Sequence, residues 1–228
     1  ETVKQAVALE GARYIQRIIT PDDILGIAWG GTMYYLIQYL NPCRKIDARF
    51  VTLHGSLSCC DYELDVRALV SRMAMAFGGR YYALTHPGLQ GSPQQLNALL
   101  REDTVKRILS LFSRTTISIS GIGSLYPQPT SPLSRIQYLK PEEFELLRQK
   151  DVYGDLMLHF FDKNGRECVS EVRDRTLSID LDVYRKIPHK VIVASGKCKA
   201  HTVQAALRGG LADVLITDRV LAQAICRL

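Results

Sequence analysis

The amino-acid sequence predicts an α/β domain whose sheet is mostly parallel and covered by helices on both faces. Short apolar, β-branched runs alternate with helical patterns along the chain, and strands in that arrangement pair in parallel through helical crossovers. The runs are almost continuously apolar, as expected of strands buried on both faces. With 228 residues, 46% hydrophobic and 23% charged, the chain is large enough to form one core.

Each element follows from the periodicity of its apolar residues. Six runs are predicted as buried strands: residues 24–29, 49–53, 81–84, 115–120, 191–194 and 214–217. Six stretches have helical spacing: residues 32–39, 63–77, 92–112, 142–150, 199–208 and 219–225. Apolar residues at helical spacing also begin at Val3, so we expect the chain to start in or just before a helix that continues an earlier segment.

Two stretches interrupt this alternation. Residues 156–162 and 166–172 flank Asn164-Gly165, a pair that accepts the positive φ angles of a tight turn, which predicts a small antiparallel hairpin. Residues 121–141 contain four prolines and several serines and are predicted to form a loop within the domain, because the α/β pattern resumes after them. Residues 1–228 are therefore treated as one domain.

Composition limits the classes of protein that fit. The longest apolar runs stop far short of the ~20 residues that a membrane helix needs, so we expect a cytoplasmic protein with no membrane partner. Six cysteines, two of them adjacent at Cys59 and Cys60, have no spacing typical of a disulfide framework or a metal site, so we expect reduced thiols and no metal. The net charge of +6 comes from scattered residues and only slightly favours an anionic ligand.

Candidate ligand-binding residues follow the predicted strands, because open parallel sheets bind ligands at the carboxyl ends of their strands. Gly30, Gly31 and Thr32 lie where the first strand runs into a helix, and Ser195 and Gly196 lie at a similar turn that leads to Lys199. Glycines let the backbone approach a phosphate, and a helix start offers unpaired N–H groups. A tight turn with no ligand fits the same pattern about equally well.

Two further strand ends carry weaker signals. His54 and Gly55 follow the second strand, where a histidine could bind a sugar hydroxyl or a phosphate, although a lone histidine is more often an ordinary core or surface residue. Gly121 and Gly123 follow the fourth strand and could bring backbone amides close to a ligand, or merely permit a turn. The chain has no dinucleotide fingerprint, P-loop, nucleophile elbow or zinc-protease motif, so no cofactor is expected.

With these segments in place, the chain resembles the C-terminal sugar-binding domain of the SorC family of bacterial transcriptional regulators along almost its whole length. The residues that carry the resemblance are ITPDDILGIAWGGTM near the start, the GIG at Gly121, VYGDLMLHFFDKNG from Val152, and VIVASGKCKAHTVQAAL followed by ADVLITD. The resemblance implies a Rossmann-like fold similar to that of sugar-phosphate isomerases and deaminases. It implies that the domain senses a phosphorylated sugar and controls an N-terminal helix-turn-helix segment that is missing from this chain.

Carried over by position, the resemblance implies phosphate contacts from Gly31, Thr32 and Lys199, with His54 and Asp155 nearer the sugar. Some members have a lysine that can form a Schiff base, or an arginine, at the position of His54, so the histidine here puts covalent capture and a second strong phosphate contact in doubt. Asp155 has its own rationale, since carboxylates accept hydrogen bonds from sugar hydroxyls, against the alternative of helix capping after Gly154.

Three hypotheses remain about activity. As a sensor, the chain would bind its effector, self-associate as a dimer or tetramer, and reach operator DNA only through the missing segment. As an isomerase or deaminase on the same fold, it would need the acidic residue and histidine that deaminases place after a GIG-type turn, whereas Ser124 to Pro127 follow here. Direct DNA binding would need a basic stripe or a recognition helix, and neither pattern is present. We therefore expect no catalysis.

Overall fold

The computed structural model describes residues 2–57, 61–134 and 138–228. Its strands are β1 (Ile24–Ile27), β2 (Arg49–Thr52), β3 (Arg80–Tyr82), β4 (Ile117–Ser120), β5 (Gly123–Ser124), β6 (Gly154–Leu156), β7 (His159–Phe161), β8 (His189–Ala194) and β9 (Val214–Thr217). Its helices are α1 (Thr2–Ile18), α2 (Gly31–Gln38), α3 (Val66–Phe77), α4 (Pro93–Leu99), α5 (Asp103–Phe112), α6 (Pro141–Gln149), α7 (Leu181–Arg185), α8 (Ala200–Arg208) and α9 (Arg219–Ile225).

Six strands form the main sheet in the order β3-β2-β1-β4-β8-β9, and every neighbouring pair is parallel. The chain builds outward from β1 in one direction and then returns to place β4 on the other side of β1. The direction of chain progress thus reverses between β1 and β4. In open α/β sheets a crevice forms at this point, beyond the carboxyl ends of the two strands, and ligands bind there.

Helices cover both faces of this sheet, as the sequence predicts. On one face α1, α2 and α3 pack against alternate strand residues such as Leu25, Ile27 and Val193. On the other face α4, α5, α7, α8 and α9 pack against the intervening residues, among them Ile24 and Ile192. Burial on both faces explains why β1, β4 and most of β8 are continuously apolar or small. The α/β fold class is confirmed.

A three-stranded antiparallel sheet, in the order β5-β6-β7, lies beside the main one. The sequence placed an antiparallel turn at Asn164-Gly165, which the structure has, but it missed the reversal between β6 and β7 at Met157 and Leu158, with φ angles of 49° and 68°. Both side chains are buried, so packing outweighs the cost of a positive φ at non-glycine residues. The Asn164-Gly165 segment is a second turn, followed by a single bridge between Phe161 and Glu167.

Some helix boundaries also differ from the prediction. The helix predicted over residues 92–112 is two helices, because Glu102 and Asp103 begin a new helix whose amino-terminal dipole favours acidic residues. Asp65 interrupts the stretch predicted over 63–77, since its side chain accepts a hydrogen bond from Arg67 N and caps α3. Among the described residues, no helix is long and apolar enough to cross a membrane.

Candidate functional site

A cavity lies at the crevice between β1 and β4, and it gathers most of the residues that the sequence singled out. Its lining comes from the ends of both strands, the start of α2, the antiparallel sheet and the segment before α8. The lining residues are Ala28, Trp29, Gly30, Gly31, Thr32, Gly121, Ile122, Gly123, Pro132, Asp155, Met157 and Lys199. Seven of the eleven predicted binding residues are therefore brought together: Gly30, Gly31, Thr32, Gly121, Gly123, Asp155 and Lys199.

The start of α2 forms one wall of the cavity. Gly30 has a φ of 113°, which turns the chain sharply from β1 into the helix, and a Cβ there would meet no atom within 4 Å. Tyr34 N is the first amide to bond within the helix, to Gly30 O at 2.9 Å, so the amides of Gly31, Thr32 and Met33 have no acceptor in α2. No side chain caps α2. These amides and the helix dipole suit an anion.

Among the described residues of the lining, Asp155 supplies the only carboxylate. It lies on β6 opposite Gly123 of β5, only 5% of its surface is exposed, and its Oδ1 accepts a short hydrogen bond from Ser131 Oγ. Burial raises the pKa of Asp155 to about 6, because the charged form is poorly solvated, while the Ser131 bond and the charge of Lys199 lower that pKa in part. The carboxyl group thus titrates near neutral pH.

Lys199 supplies the cation in the lining. Its residue ends the 3₁₀ turn Lys197–Lys199 just before α8, and its Nζ donates to Ile122 O at 2.7 Å. Burial lowers the pKa of Lys199, and the charge of Asp155 opposes that shift. One of three ammonium donors is used by Ile122 O, which leaves donors for a ligand.

Gly121 and Gly123 let the backbone after β4 pass close to the cavity. A Cβ on Gly123 would lie 2.0 Å from Asp155 Oδ1 and 2.5 Å from Ser131 Oγ, so only glycine fits there. A Cβ on Gly121 would meet only Thr32 Cβ, at 3.9 Å. Gly123 is therefore required by the packing of Asp155, whereas Gly121 leaves open space in front of the cavity.

His54 and Gly55 are not among the residues that line the cavity. His54 is fully buried: Trp29 N donates to its Nε2 at 3.1 Å, and its Nδ1 lies 2.7 Å from Gly55 O, to which it donates. Desolvation lowers the pKa of His54 to about 4, so the ring is neutral and both nitrogens are already paired. The contact between His54 and a sugar stays a prediction, and in this structure the ring accepts from the backbone at Trp29. A Cβ on Gly55 would lie 2.6 Å from His86 O. Glycine at this position therefore lets the backbone pass close to the backbone at His86.

Ser195 and Gly196 also lie outside the lining, and the turn they form already has an anion. Gly196 N donates to Asp218 Oδ2 at 2.7 Å, and Asp218 Oδ1 accepts from Leu221 N at the start of α9. Although desolvation acts in the opposite direction, these backbone hydrogen bonds lower the pKa of Asp218. The phosphate contact at Ser195 and Gly196 stays a prediction, and the Gly196 amide already donates to a carboxylate of the chain itself.

Sequence reasoning missed several residues of the site. Trp29 and Met157 add apolar surface, and Ser131 orients Asp155 from within the proline-rich loop. The strand-end rule includes Trp29, but no pattern indicates Met157, which lies in an unexpected turn. Within the described part of the chain no group of acidic, histidine and cysteine residues has the geometry of a metal site. Cys43, Cys168, Cys198 and Cys226 are free thiols. The adjacent cysteines Cys59 and Cys60 lie outside the described residues.

The whole chain resembles known ligand-binding domains. Residues 1–227 match the Sugar-bind family, described as "Putative sugar-binding domain". The deoxyribonucleoside regulator of Bacillus subtilis (strain 168) is 28% identical over 94% of this chain and 68% of its own length. The sorbitol operon regulator of Klebsiella pneumoniae is 25% identical over 97% of this chain and 70% of its own length. The chain thus spans about two thirds of these relatives.

Solved structures give the same result for the fold. A domain of a possible sugar-binding transcriptional regulator from Arthrobacter aurescens TC1 superposes with a TM-score of 0.85 at 26% identity, covering 98% of this chain and 86% of that chain. The full-length sorbitol operon regulator SorC from Klebsiella pneumoniae superposes with a TM-score of 0.91 at 23% identity, covering 98% of this chain and 72% of that chain.

Fold, crevice and relatives define one class: a Rossmann-like ligand-binding domain of bacterial transcriptional regulators. The chain belongs to the Sugar-bind family, and its relatives are regulators of the SorC and DeoR types.

Proposed function

We propose that this chain is the effector-binding domain of a SorC-type regulator, and that its effector is a phosphorylated sugar bound in the cavity between β1 and β4. The observation that carries the proposal is the convergence of one half-buried cation, Lys199, and the α2 amides that have no acceptor within the helix on a cavity that also contains Asp155. A phosphate needs both donors and positive charge, and a sugar hydroxyl suits a carboxylate.

The roles divide along the cavity. Gly30, Gly31 and Thr32 provide backbone amides and a hydroxyl for the phosphate, with Lys199 as its counter-charge. Asp155 accepts from a sugar hydroxyl, Gly121 leaves room for the ring, and Gly123 lets Asp155 pack against the backbone. The cavity of about 70 Å³ is smaller than the ~300–1,000 Å³ of typical small-molecule sites, so the ligand must extend through the open side or widen the cavity. A site that changes shape on binding suits a sensor, because an effector acts through its differential affinity for two states.

In the full-length protein, the proposed readout is operator DNA binding by a helix-turn-helix segment in the part of the relatives that this chain does not span. The protein would work in the cytoplasm as a dimer or tetramer, since paired half-sites in DNA match symmetric assemblies.

A thermal-shift panel tests the proposal. Sugar phosphates, and not the corresponding free sugars, should raise the melting temperature, because a ligand that binds only the folded state stabilises it by mass action. Native mass spectrometry of the purified domain would identify a co-purified effector. A panel in which no sugar phosphate acts, or in which free sugars act equally well, would contradict the phosphate site.

The second candidate, an isomerase or deaminase, draws support only from the shifted pKa values of Asp155 and Lys199. Their side chains bond to Ser131 and Ile122, and His54, which lies behind the cavity wall at Trp29, has both ring nitrogens paired. We therefore expect no turnover of glucosamine, ribose or hexose phosphates. A rate that disappears in Asp155→Asn would favour the enzyme.

A further inference from the structure

A second cation lies beside the cavity on an element that the sequence did not connect with the site. Lys4 is in the first turn of α1, and its Nζ lies 4.0 Å from the position that a Cβ on Gly31 would occupy. The ammonium group therefore stands over the start of α2, where the proposed phosphate amides are exposed. Lys4 does not form the cavity wall, but its side chain reaches the edge of it.

The charges of Lys4 and of nearby Lys199 are both positive. Within the described residues, no carboxylate lies within ion-pairing distance of Lys4, whose charge instead acts on Lys199 and contributes to lowering the pKa of that lysine. Like charges near one another cost free energy. A dianionic phosphate between Lys4, Lys199 and the α2 amides would turn this repulsion into two favourable interactions.

The first turn of α1 can respond to such a ligand. Burial of α1 begins at Val7, whereas Thr2, Val3 and Lys4 are exposed. Further along, Gly11 is in tight contact with Leu36 of α2 and Val193 of β8, which fixes the middle of the helix. The middle of the helix is thus packed, whereas its first turn, which has Lys4, is exposed.

We propose that Lys4 binds the phosphate of the effector together with Lys199, and that this contact couples ligand occupancy to the first turn of α1. The inference rests on the proposed function, and it adds the regulatory output of that site. A DNA-binding segment that precedes α1 would then sense the ligand through the helix to which it is joined. Coupling of this kind requires a contact that exists only in the bound state, and the contact between Lys4 and the phosphate is such a contact.

The test uses inorganic phosphate as the probe and compares Lys4→Gln, Lys4→Arg, Lys199→Ala and a control, Arg13→Gln. Arg13 is exposed on the same helix, nine residues further on and about 14 Å away along the axis. Apparent affinity is taken from melting temperature against phosphate concentration, and hydrogen exchange is followed in the first two turns of α1. Because Lys4 is exposed, the unliganded melting temperature of its variants should match that of the wild type.

Lys4→Gln should weaken phosphate binding about two- to fivefold, the range of an exposed ion pair. It should also abolish the phosphate-dependent protection of the α1 amides, while Lys4→Arg and Arg13→Gln behave as wild type. Loss of binding in Lys199→Ala with wild-type affinity and protection in Lys4→Gln would overturn the role of Lys4 and leave the site intact. Absence of any phosphate effect on the wild type would overturn both proposals.

Discussion

At the scale of single residues, Lys199 and Asp155 place opposite charges in one cavity without exhausting their hydrogen-bonding capacity. Among the described residues, Lys199 bonds to a backbone carbonyl and Asp155 to a hydroxyl. An ammonium has three donors and a carboxylate about four acceptor positions, so a ligand can bind both without breaking either existing bond. The site is thus preorganised in its side chains and adaptable in its volume.

Lys199→Ala should weaken the binding of the most stabilising sugar phosphate by about ten- to a hundredfold, since a hydrogen bond to a charged group contributes about 1.5–3 kcal/mol. Thr32→Ala should weaken binding of the same sugar phosphate less, because water can replace a neutral hydroxyl and the Gly31 amide remains. Lys197→Ala is the matched control, since Lys197 is exposed in the same 3₁₀ turn and does not line the cavity. Calorimetric titration measures all three variants, and unchanged affinity in Lys199→Ala would place the phosphate elsewhere.

Asp155→Asn should stabilise the unliganded domain at neutral pH. The folded-state pKa of about 6 lies above the ordinary value of 3.8, so the native state binds this proton more tightly than the unfolded state does. The stability that Asp155 contributes is therefore complete below about pH 4 and is lost as the pH rises through 6. Two pKa units correspond to about 3 kcal/mol.

The melting temperature of the variant minus that of the wild type should accordingly grow between pH 4 and 6 and then level off. Asp174→Asn, at an exposed position, controls for the loss of one negative charge. A difference that does not change with pH would mean that Asp155 titrates normally. The same variant should lose affinity for the sugar, since asparagine provides one acceptor oxygen instead of two.

At the scale of elements, the junction of β1 and α2 depends on two glycines with different tasks. Gly30 has the positive φ that the turn requires, whereas a Cβ on Gly31 would meet only Lys4 Nζ, at 4.0 Å. Gly31 is therefore dispensable for the fold but faces the space where a phosphate would approach the α2 amides. Alanine substitutions at Gly30 and Gly31 should therefore separate an effect on the stability of the fold from an effect on ligand affinity.

Gly31→Ala should keep or slightly raise the melting temperature, because alanine is the better helix former by up to about 1 kcal/mol. It should nevertheless weaken sugar-phosphate binding at least severalfold, since the methyl group stands over the amides. Gly30→Ala should lower the melting temperature, because alanine is strained at a φ of 113°. If Gly31→Ala binds as tightly as wild type, the phosphate does not contact the start of α2.

The helices, strands and turns also show how much of the fold can be predicted from the sequence alone. Buried strands and amphipathic helices have strong periodicity, so all six strands of the main sheet and the α/β class are predictable, and β9 and α9 match residue for residue. The turn at Met157-Leu158 was not predictable, because it depends on burial in two different clusters and carries no glycine or asparagine. Local turn chemistry predicted the turn at Asn164-Gly165, which the structure has, whereas tertiary packing produces the additional reversal at Met157-Leu158.

The site shows the same limit. Strand ends can be recognised in the sequence, so Gly30 to Thr32, Gly121, Gly123 and Lys199 were predicted from the pattern, and the family resemblance added Asp155. Sequence does not reveal which strand-end groups are already paired within the protein. His54 and Gly196 have the right residue types in the right places, but backbone groups and Asp218 occupy them. Lys4 is far from every strand end along the chain, and only the packing of α1 brings it near.

At the scale of the whole molecule, the net charge of +6 and the edges of the main sheet bear on assembly. β3 is an edge strand with Tyr81 exposed, and β9 forms the other edge. We expect the isolated chain to self-associate, as a dimer or tetramer would present paired DNA-binding segments. Light scattering over a range of concentrations and salt, with and without a stabilising sugar phosphate, measures this. A strict monomer under all conditions would contradict it.

The packing of α1 has a consequence for the order in which the protein is made. α1 leaves the ribosome before every other element described here, yet it packs against β8 and β9 in addition to α2. About 170 residues separate the end of α1 from the start of β8, which takes about 10–30 s to translate. During that interval the apolar face of α1 lacks part of its cover. A DNA-binding segment upstream of α1, as proposed, would therefore be synthesised before the domain that would respond to the effector is complete.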